Sequence, residues 1–364
     1  MNKKKVSVLT AAVALGATSM LFAPPASAAL TTRCVGEAGA VTVPGDLVVP
    51  RDKSCNLVGT TVLGNVRVAQ GADLVAEDVT IEGQLSGAID AYVELIGGTV
   101  NGQVVLNGAF GAYLDGATAG DRVLTRPSGD VAIGGFVYTA NASIAGDLVS
   151  RSGELFIETT DIVGSVDSRD SAYTDLHQSW VDGALRVQGT SFGSVICGTS
   201  VAGEAVFADN TDMLQIGADG PLDECTSGNY WGSNVSATGN TGGVVMDNNI
   251  VRGSVALTGN NPIAQLGVNN VRGEVTGEFE EWTGAPAEAQ AADAPALNLP
   301  QTPSKNGGAS TTPVPMQTLD NAPTEALRTA PAESREAAIE SKIEQRRAEA
   351  VKSADAAGPA NIGR

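Results

Sequence analysis

The one histidine of this chain stands in Asp175-x-His177-x-Ser179, a carboxylate, an imidazole and a hydroxyl at alternate positions. A hydrolytic triad needs these three groups in direct hydrogen-bond sequence. If the segment is a strand, alternate side chains stand about 6.5 Å apart, too far for nucleophile-to-base contact. The expected reading is therefore a polar strand that happens to hold the histidine, and no catalytic residue is assigned. Acidic residues recur as Asp161, Asp167, Asp170 and Asp175, and again as Asp209, Asp212, Asp219, Asp223 and Glu224. Loop carboxylates with backbone carbonyls can hold Ca²⁺, but neither the EF-hand spacing nor the Gly-Gly-x-Gly-x-Asp nonapeptide occurs. Ordinary solvated acidity is expected, with no cofactor and no metal site. Aromatic side chains offer a different chemistry, because a flat ring can stack on a sugar ring at low entropic cost. Trp180, with Tyr173 and His177 near it in sequence, and the pair Tyr230-Trp231 are the candidate ligand-binding residues; the competing reading for each is burial under a loop.

Four cysteines allow three pairings. Cys34 and Cys55 are 21 residues apart, and Cys197 and Cys225 are 28 apart. With only one histidine and no Cys-x-x-Cys, disulfides are expected over a metal site. Which cysteines pair depends on how the chain stacks, and the chain announces its stacking in another pattern. An apolar-x-Gly-x-apolar motif returns along its length, with glycines at Gly45, Gly64, Gly83 and Gly102, each 19 residues after the last. It continues through Gly146, Gly164, Gly183, Gly203, Gly253 and Gly273. A period of this length fits one coil of a parallel β-helix and is too short for paired-helix repeats. The fold predicted is all-β, a single-stranded right-handed parallel β-helix of about 19 residues per coil. On that reading Cys34–Cys55 is one coil and Cys197–Cys225 one coil plus an insertion, so these pairs lie within disulfide reach.

Apolar residues two before and two after each glycine point inward, and the glycine itself sits where a Cβ is unwelcome. The residue before the first inward aliphatic reads Thr61, Thr80, Thr99, Ser143, Asp161, Trp180, Ser200 and Asn270. This is an outward column of small polar side chains with Trp180 as its exception. The register stretches between Gly102 and Gly146 and between Gly203 and Gly253; the second insertion carries Cys225, Tyr230 and Trp231.

The flanks divide the chain further. Residues 1–28 combine Lys3 to Lys5, an apolar run and Ala26-Ser27-Ala28, the pattern of a signal peptide. Residues 29–44 are expected to cap the first coil, 45–282 to form the β-helix and 283–330 to be a disordered linker. A short helix is expected over 331–354, followed by a disordered end over 355–364. The helix has a thin apolar stripe of Ile339, Ile343, Ala350 and Val351, and its Glu336 and Glu340 are spaced to pair with Lys342, Arg346 and Arg347. The tail is expected to add nothing to the core.

From Leu30 to Trp282 there are 31 acidic and 11 basic residues. That excess argues against nucleic acid or any polyanionic partner. Lys53 is the only lysine between Lys5 and Lys305, so a lyase site for acidic glycans lacks its base. No apolar run beyond residue 28 approaches the length of a spanning helix, and no membrane insertion is expected.

The Gly-x-apolar coils, behind a signal-like segment and with sparse cysteines, resemble secreted right-handed parallel β-helix repeat proteins of actinobacteria. More faintly they resemble bactofilins. The resemblance covers roughly residues 45 to 282 and implies an architecture, not an activity. Together these readings predict a secreted, non-enzymatic structural or adhesive module, held at the cell surface or wall by an envelope component or a neutral glycan. The alternative is a glycan-binding or glycan-cleaving β-helix related to polysaccharide lyases and hydrolases.

Overall fold

The computed structural model describes residues 31–128, 135–217, 220–284 and 331–362. The expected signal peptide and nearly all of the expected linker lie outside these residues. Residues 31–281 wind into a parallel β-solenoid of three sheets, with 13, 13 and 12 strands. Each strand pairs with the strands three before and three after it, as it must when every coil contributes one strand to each sheet. Sheet 1 starts at Thr31–Arg33, sheet 2 at Gly36–Ala38 and sheet 3 at Thr42–Val43.

The 19-residue period is visible in the register: Thr61 pairs with Thr80, and Thr80 with Thr99, in sheet 3. Inward Val43, Val62, Ile81, Val100, Ile144, Ile162, Val181 and Val201 stack as one buried column. The repeat glycines are required by that stacking. A Cβ on Gly83 would lie 2.7 Å from the carbonyl oxygen of Gly64, and one on Gly102 would lie 2.7 Å from that of Gly83. Both disulfides form as the coil spacing predicts, with Cα separations of 5.6 Å for Cys34–Cys55 and 5.7 Å for Cys197–Cys225.

In the later coils buried asparagines continue two corners that Thr190 and Thr199 occupy in the coil before. Asn210 Nδ2 donates to Asn240 Oδ1 at 2.8 Å and Asn240 Nδ2 to Asn260 Oδ1 at 2.8 Å, while Asn229, Asn249 and Asn269 form a second ladder of the same kind. Each amide also satisfies main-chain groups of a neighbouring coil, which is why such polar side chains can be buried.

Two features of the flanks differ from expectation. Residues 31–43 do not cap the first coil; they are that coil, with Thr31 paired to Asp46 and Thr42 to Thr61. The helix runs over Ala332–Ala357, past residue 354, and lies along sheet 2. At Gly358 (φ 74°) the chain leaves the helix. The segment after it then pairs with the first strand of sheet 2: Glu37 N–H donates to Gly358 O and Ala360 N–H donates to Glu37 O. Ile362 is buried in the solenoid core together with Cys34. Described residues 355–362 are thus ordered against the first coil, and the tail does contribute to the core. The physical reason is non-local: the edge this segment completes is more than 300 residues away in sequence.

Candidate functional site

Sheet 2 has the longest strands, and several are buried on both faces, as in Tyr92–Ile96, Phe136–Ala140, Glu154–Glu158 and Tyr173–His177. A strand buried on both faces must have a second layer over it, and that layer is the helix. Register places Asp73, Tyr92, Gly111, Phe136, Glu154 and Tyr173 in one outward column. The next column reads Val75, Glu94, Tyr113, Tyr138, Phe156 and Asp175. Together they make a groove of aromatic rings punctuated by carboxylates. Among its ring contacts, Tyr92–Phe110, Phe110–Phe136 and Tyr138–Phe156 meet edge to face, with centroids 5.0–6.1 Å apart.

The helix fills this groove. Its 26 residues span about 39 Å. It runs against the winding direction, from the coil of Asp175 down to the first coil, a distance of about 34 Å at the usual strand spacing. The residues it buries are Ala332, Arg335, Ile339, Ile343, Arg346, Ala350 and Ala354. Their spacing of three, four, four, then three, four, four keeps one narrow face toward the sheet. Two of the seven are arginines, which is why the stripe looks thin in the sequence. Arg335 donates from Nε to Asp175 Oδ2 (2.8 Å) and from an Nη to Oδ1 (3.0 Å), with both side chains fully buried. Its guanidinium also lies 5.0 Å from the centre of the Tyr173 ring. Arg346 donates to Asp73 Oδ1 at 2.7 Å and to the carbonyl of Asp90 at 3.0 Å. Lys342 pairs with Glu154, and Arg347 Nε lies 3.2 Å from Glu94 Oε1. The helix cations therefore reach across to the solenoid, in place of the pairing within the helix that their spacing predicted.

Burial raises the pKa values of Asp73, Asp90, Glu94, Glu154 and Glu336 above the ordinary carboxylate range, and the neighbouring cations or tyrosine hydroxyls only partly offset it. Asp167, on sheet 1, goes the other way. Burial raises it too, but hydrogen bonds from Arg169 and Arg151 outweigh that and hold it below the usual value.

The sequence-predicted binding residues separate into three environments. Tyr173 is buried beneath the helix, its hydroxyl donating to Glu154 at 2.9 Å, and Trp231 points into the core against Phe207. Neither presents a ring to solvent, because Tyr173 lies on the covered sheet and Trp231 is the inward member of its pair. His177 stacks on Phe156 and faces Asp223, with Nδ1 3.6 Å from Oδ2, beside Cys197. Trp180 and Tyr230 are the outward pair. They stand in one column of sheet 3, with Ser200 between them and Ile250 after them, and the three large side chains are 50%, 42% and 48% exposed. Trp180 Nε1–H donates to Asp182, which fixes the indole.

The residues of a hydrolytic triad are not brought together. Asp175 is held by Arg335 and by the Val195 N–H, while Ser179 Oγ donates to the carbonyl of His177. The acidic clusters disperse likewise. Asp167 meets Arg151 and Arg169, Asp161 is exposed on sheet 3, and Asp209 and Asp170 occupy positive-φ turns; Asp219 lies outside the described residues.

Sequence reasoning missed the aromatic and acidic groove, naming only Tyr173 and Asp175 of it and neither as part of a groove. The signal was available in the repeat itself, since positions nine and eleven after the glycines give Tyr92, Tyr173, Glu94, Tyr113 and Asp175. No described helix is long and apolar enough to cross a membrane. Comparisons with protein-family models, with curated proteins and with solved structures find no match.

Proposed function

We propose that this chain is an exported, non-enzymatic structural or adhesive module, and that its binding face is sheet 3. The observation that carries the reading is the column of Trp180, Tyr230 and Ile250, large side chains about half exposed on a sheet that the helix leaves uncovered. Trp180 and Tyr230 are two strand spacings apart, about 9.5 Å along the solenoid axis. Rings at that interval suit stacking on successive disaccharide units of a flat, neutral glycan, and the acidic solenoid disfavours a polyanionic one. A non-catalytic role is supported by the state of the carboxylates in the sheet 2 groove, where Asp73, Glu94, Glu154 and Asp175 each meet a helix cation. Two disulfides and the signal-like segment at residues 1–28 support export, and the resemblance to secreted β-helix repeat proteins agrees with it.

Binding of the purified full chain to a panel of neutral and acidic polysaccharides tests this. Neutral chains should be retained, with Trp180→Ala and Tyr230→Ala each weakening retention from several-fold to about tenfold. Equal retention of the double variant removes sheet 3 as the binding face. Turnover of any polysaccharide that is lost in His177→Ala overturns the non-enzymatic reading.

A further inference from the structure

The one imidazole of the chain sits beside the second disulfide. His177 pairs in register with Cys197, and ligand atoms of His177, Cys197 and Asp223 all lie within 4.8 Å of one another. Cys225, bonded to Cys197, brings a second sulfur to the same point. Asp223 and Cys225 come from the insertion between coils, where one buried side chain, Gln215, holds residues 222–225. Its Oε1 accepts the N–H groups of Leu222 (2.8 Å) and Asp223 (3.0 Å), and its Nε2 donates to Asp223 O (2.7 Å) and lies 3.6 Å from Cys225 Sγ. The His177 ring is clamped flat against Phe156, and its buried Nε2 has no hydrogen-bond partner among the described residues.

We propose that reduction of Cys197–Cys225 converts this cluster into a tetrahedral zinc site with His177, Cys197, Cys225 and Asp223 as ligands. Two sulfurs, one imidazole nitrogen and one carboxylate oxygen are a donor set that suits Zn²⁺. An external dithiol or phosphine supplies the two electrons. With a dithiol, two thiol–disulfide exchanges break the S–S bond and pass both thiol hydrogens to the cysteines as the dithiol becomes a disulfide; with a phosphine, one water supplies the two protons and the oxygen of the phosphine oxide. Zinc then displaces both thiol protons to solvent and is held by two thiolates. Gln215 Nε2 is placed to donate to the Cys225 thiolate, the outer-shell contact that such ligands use. Sulfur atoms bound to one zinc must stand farther apart than in a disulfide. Asp223 and Cys225 share the inserted loop, so one movement of that loop adjusts both. The pairing that looked purely structural in the sequence becomes a site that alternates between a covalent bond and a metal.

Co²⁺ titration of the full chain tests the proposal, with zinc as competitor and a phosphine as reductant. The reduced protein should bind one Co²⁺ with thiolate-to-cobalt charge-transfer bands and the visible bands of tetrahedral cobalt, all abolished by zinc. Oxidised protein should show none. Cys197→Ser, which leaves one thiolate, should weaken the bands, His177→Ala and Asp223→Asn should each weaken binding at least about tenfold, and Cys34→Ser/Cys55→Ser should keep the bands in full. Three results each overturn the site: no charge-transfer band on reduction, bands that disappear in Cys34→Ser/Cys55→Ser while the variant stays folded, or affinity unchanged in both His177→Ala and Asp223→Asn. Should Cys197→Ser fail to fold, the His177 and Asp223 variants decide alone.

Discussion

Replacing Arg335 by methionine removes the cation that neutralises Asp175 and keeps the length of the side chain. The ion pair is bidentate and fully buried, so the variant leaves a carboxylate enclosed beneath the helix with the Val195 N–H among its remaining donors. Breaking a buried pair from one side costs about 3–5 kcal/mol. The loss falls on docking of the helix, because Asp175 belongs to the solenoid and Arg335 to the helix. Opening of the helix should then increase by roughly two to four orders of magnitude. Native-state hydrogen exchange of amides around Ile339 to Arg346 measures it, and trypsin cleavage after Lys342 and Arg346 gives an independent reading. The partner variant Arg335→Met/Asp175→Asn keeps the acceptor for Val195 and removes the charge, so it should recover most of the loss. If Arg335→Met changes exchange by less than tenfold, or the double variant is as open as the single one, the buried pair does not hold the helix and the reasoning fails.

Deleting residues 359–364 removes Ile362 from the first coil and should cost about 1.5–3 kcal/mol of apolar burial. The Cys34–Cys55 bond should become more rapidly reducible, while Cys197–Cys225 is unaffected; equal reduction rates in the shortened and full chains would show that the tail does not seal that end. Stability should also depend on pH in a definite direction. Asp73, Asp90, Glu94, Glu154 and Glu336 have raised pKa values in the docked state, so folding takes up protons between the ordinary carboxylate pKa and the raised one. Their contribution is fully present below about pH 4. It is lost as pH rises through the raised values, with Asp167 opposing the trend. Melting temperature should therefore fall from mildly acid to neutral pH, and a rise over that interval would contradict the desolvation argument.

The repeat was legible because a solenoid makes long-range structure periodic in sequence. Gly64, Gly83 and Gly102 recur where stacked backbones approach too closely for a Cβ, and Val62, Ile81 and Val100 recur because each coil covers the one before. The same regularity gave both disulfides, since one coil of sequence is one strand spacing in space, and it gave the outward orientation of Trp180. The helix and its tail obey no such period. Their partners are set by the axial position of the helix on sheet 2, so nothing in the sequence pairs Arg335 with Asp175, and Arg346 is expected to pair within the helix until Asp73 is seen beneath it. Tyr173 and Trp180 are close in sequence, yet one is buried and the other half exposed, because a turn between two sheets separates them. Sequence alone decided which face of each strand points inward, a choice made locally by alternation. Only the tertiary structure decided which outward face would be covered, because that depends on where a distant helix comes to rest.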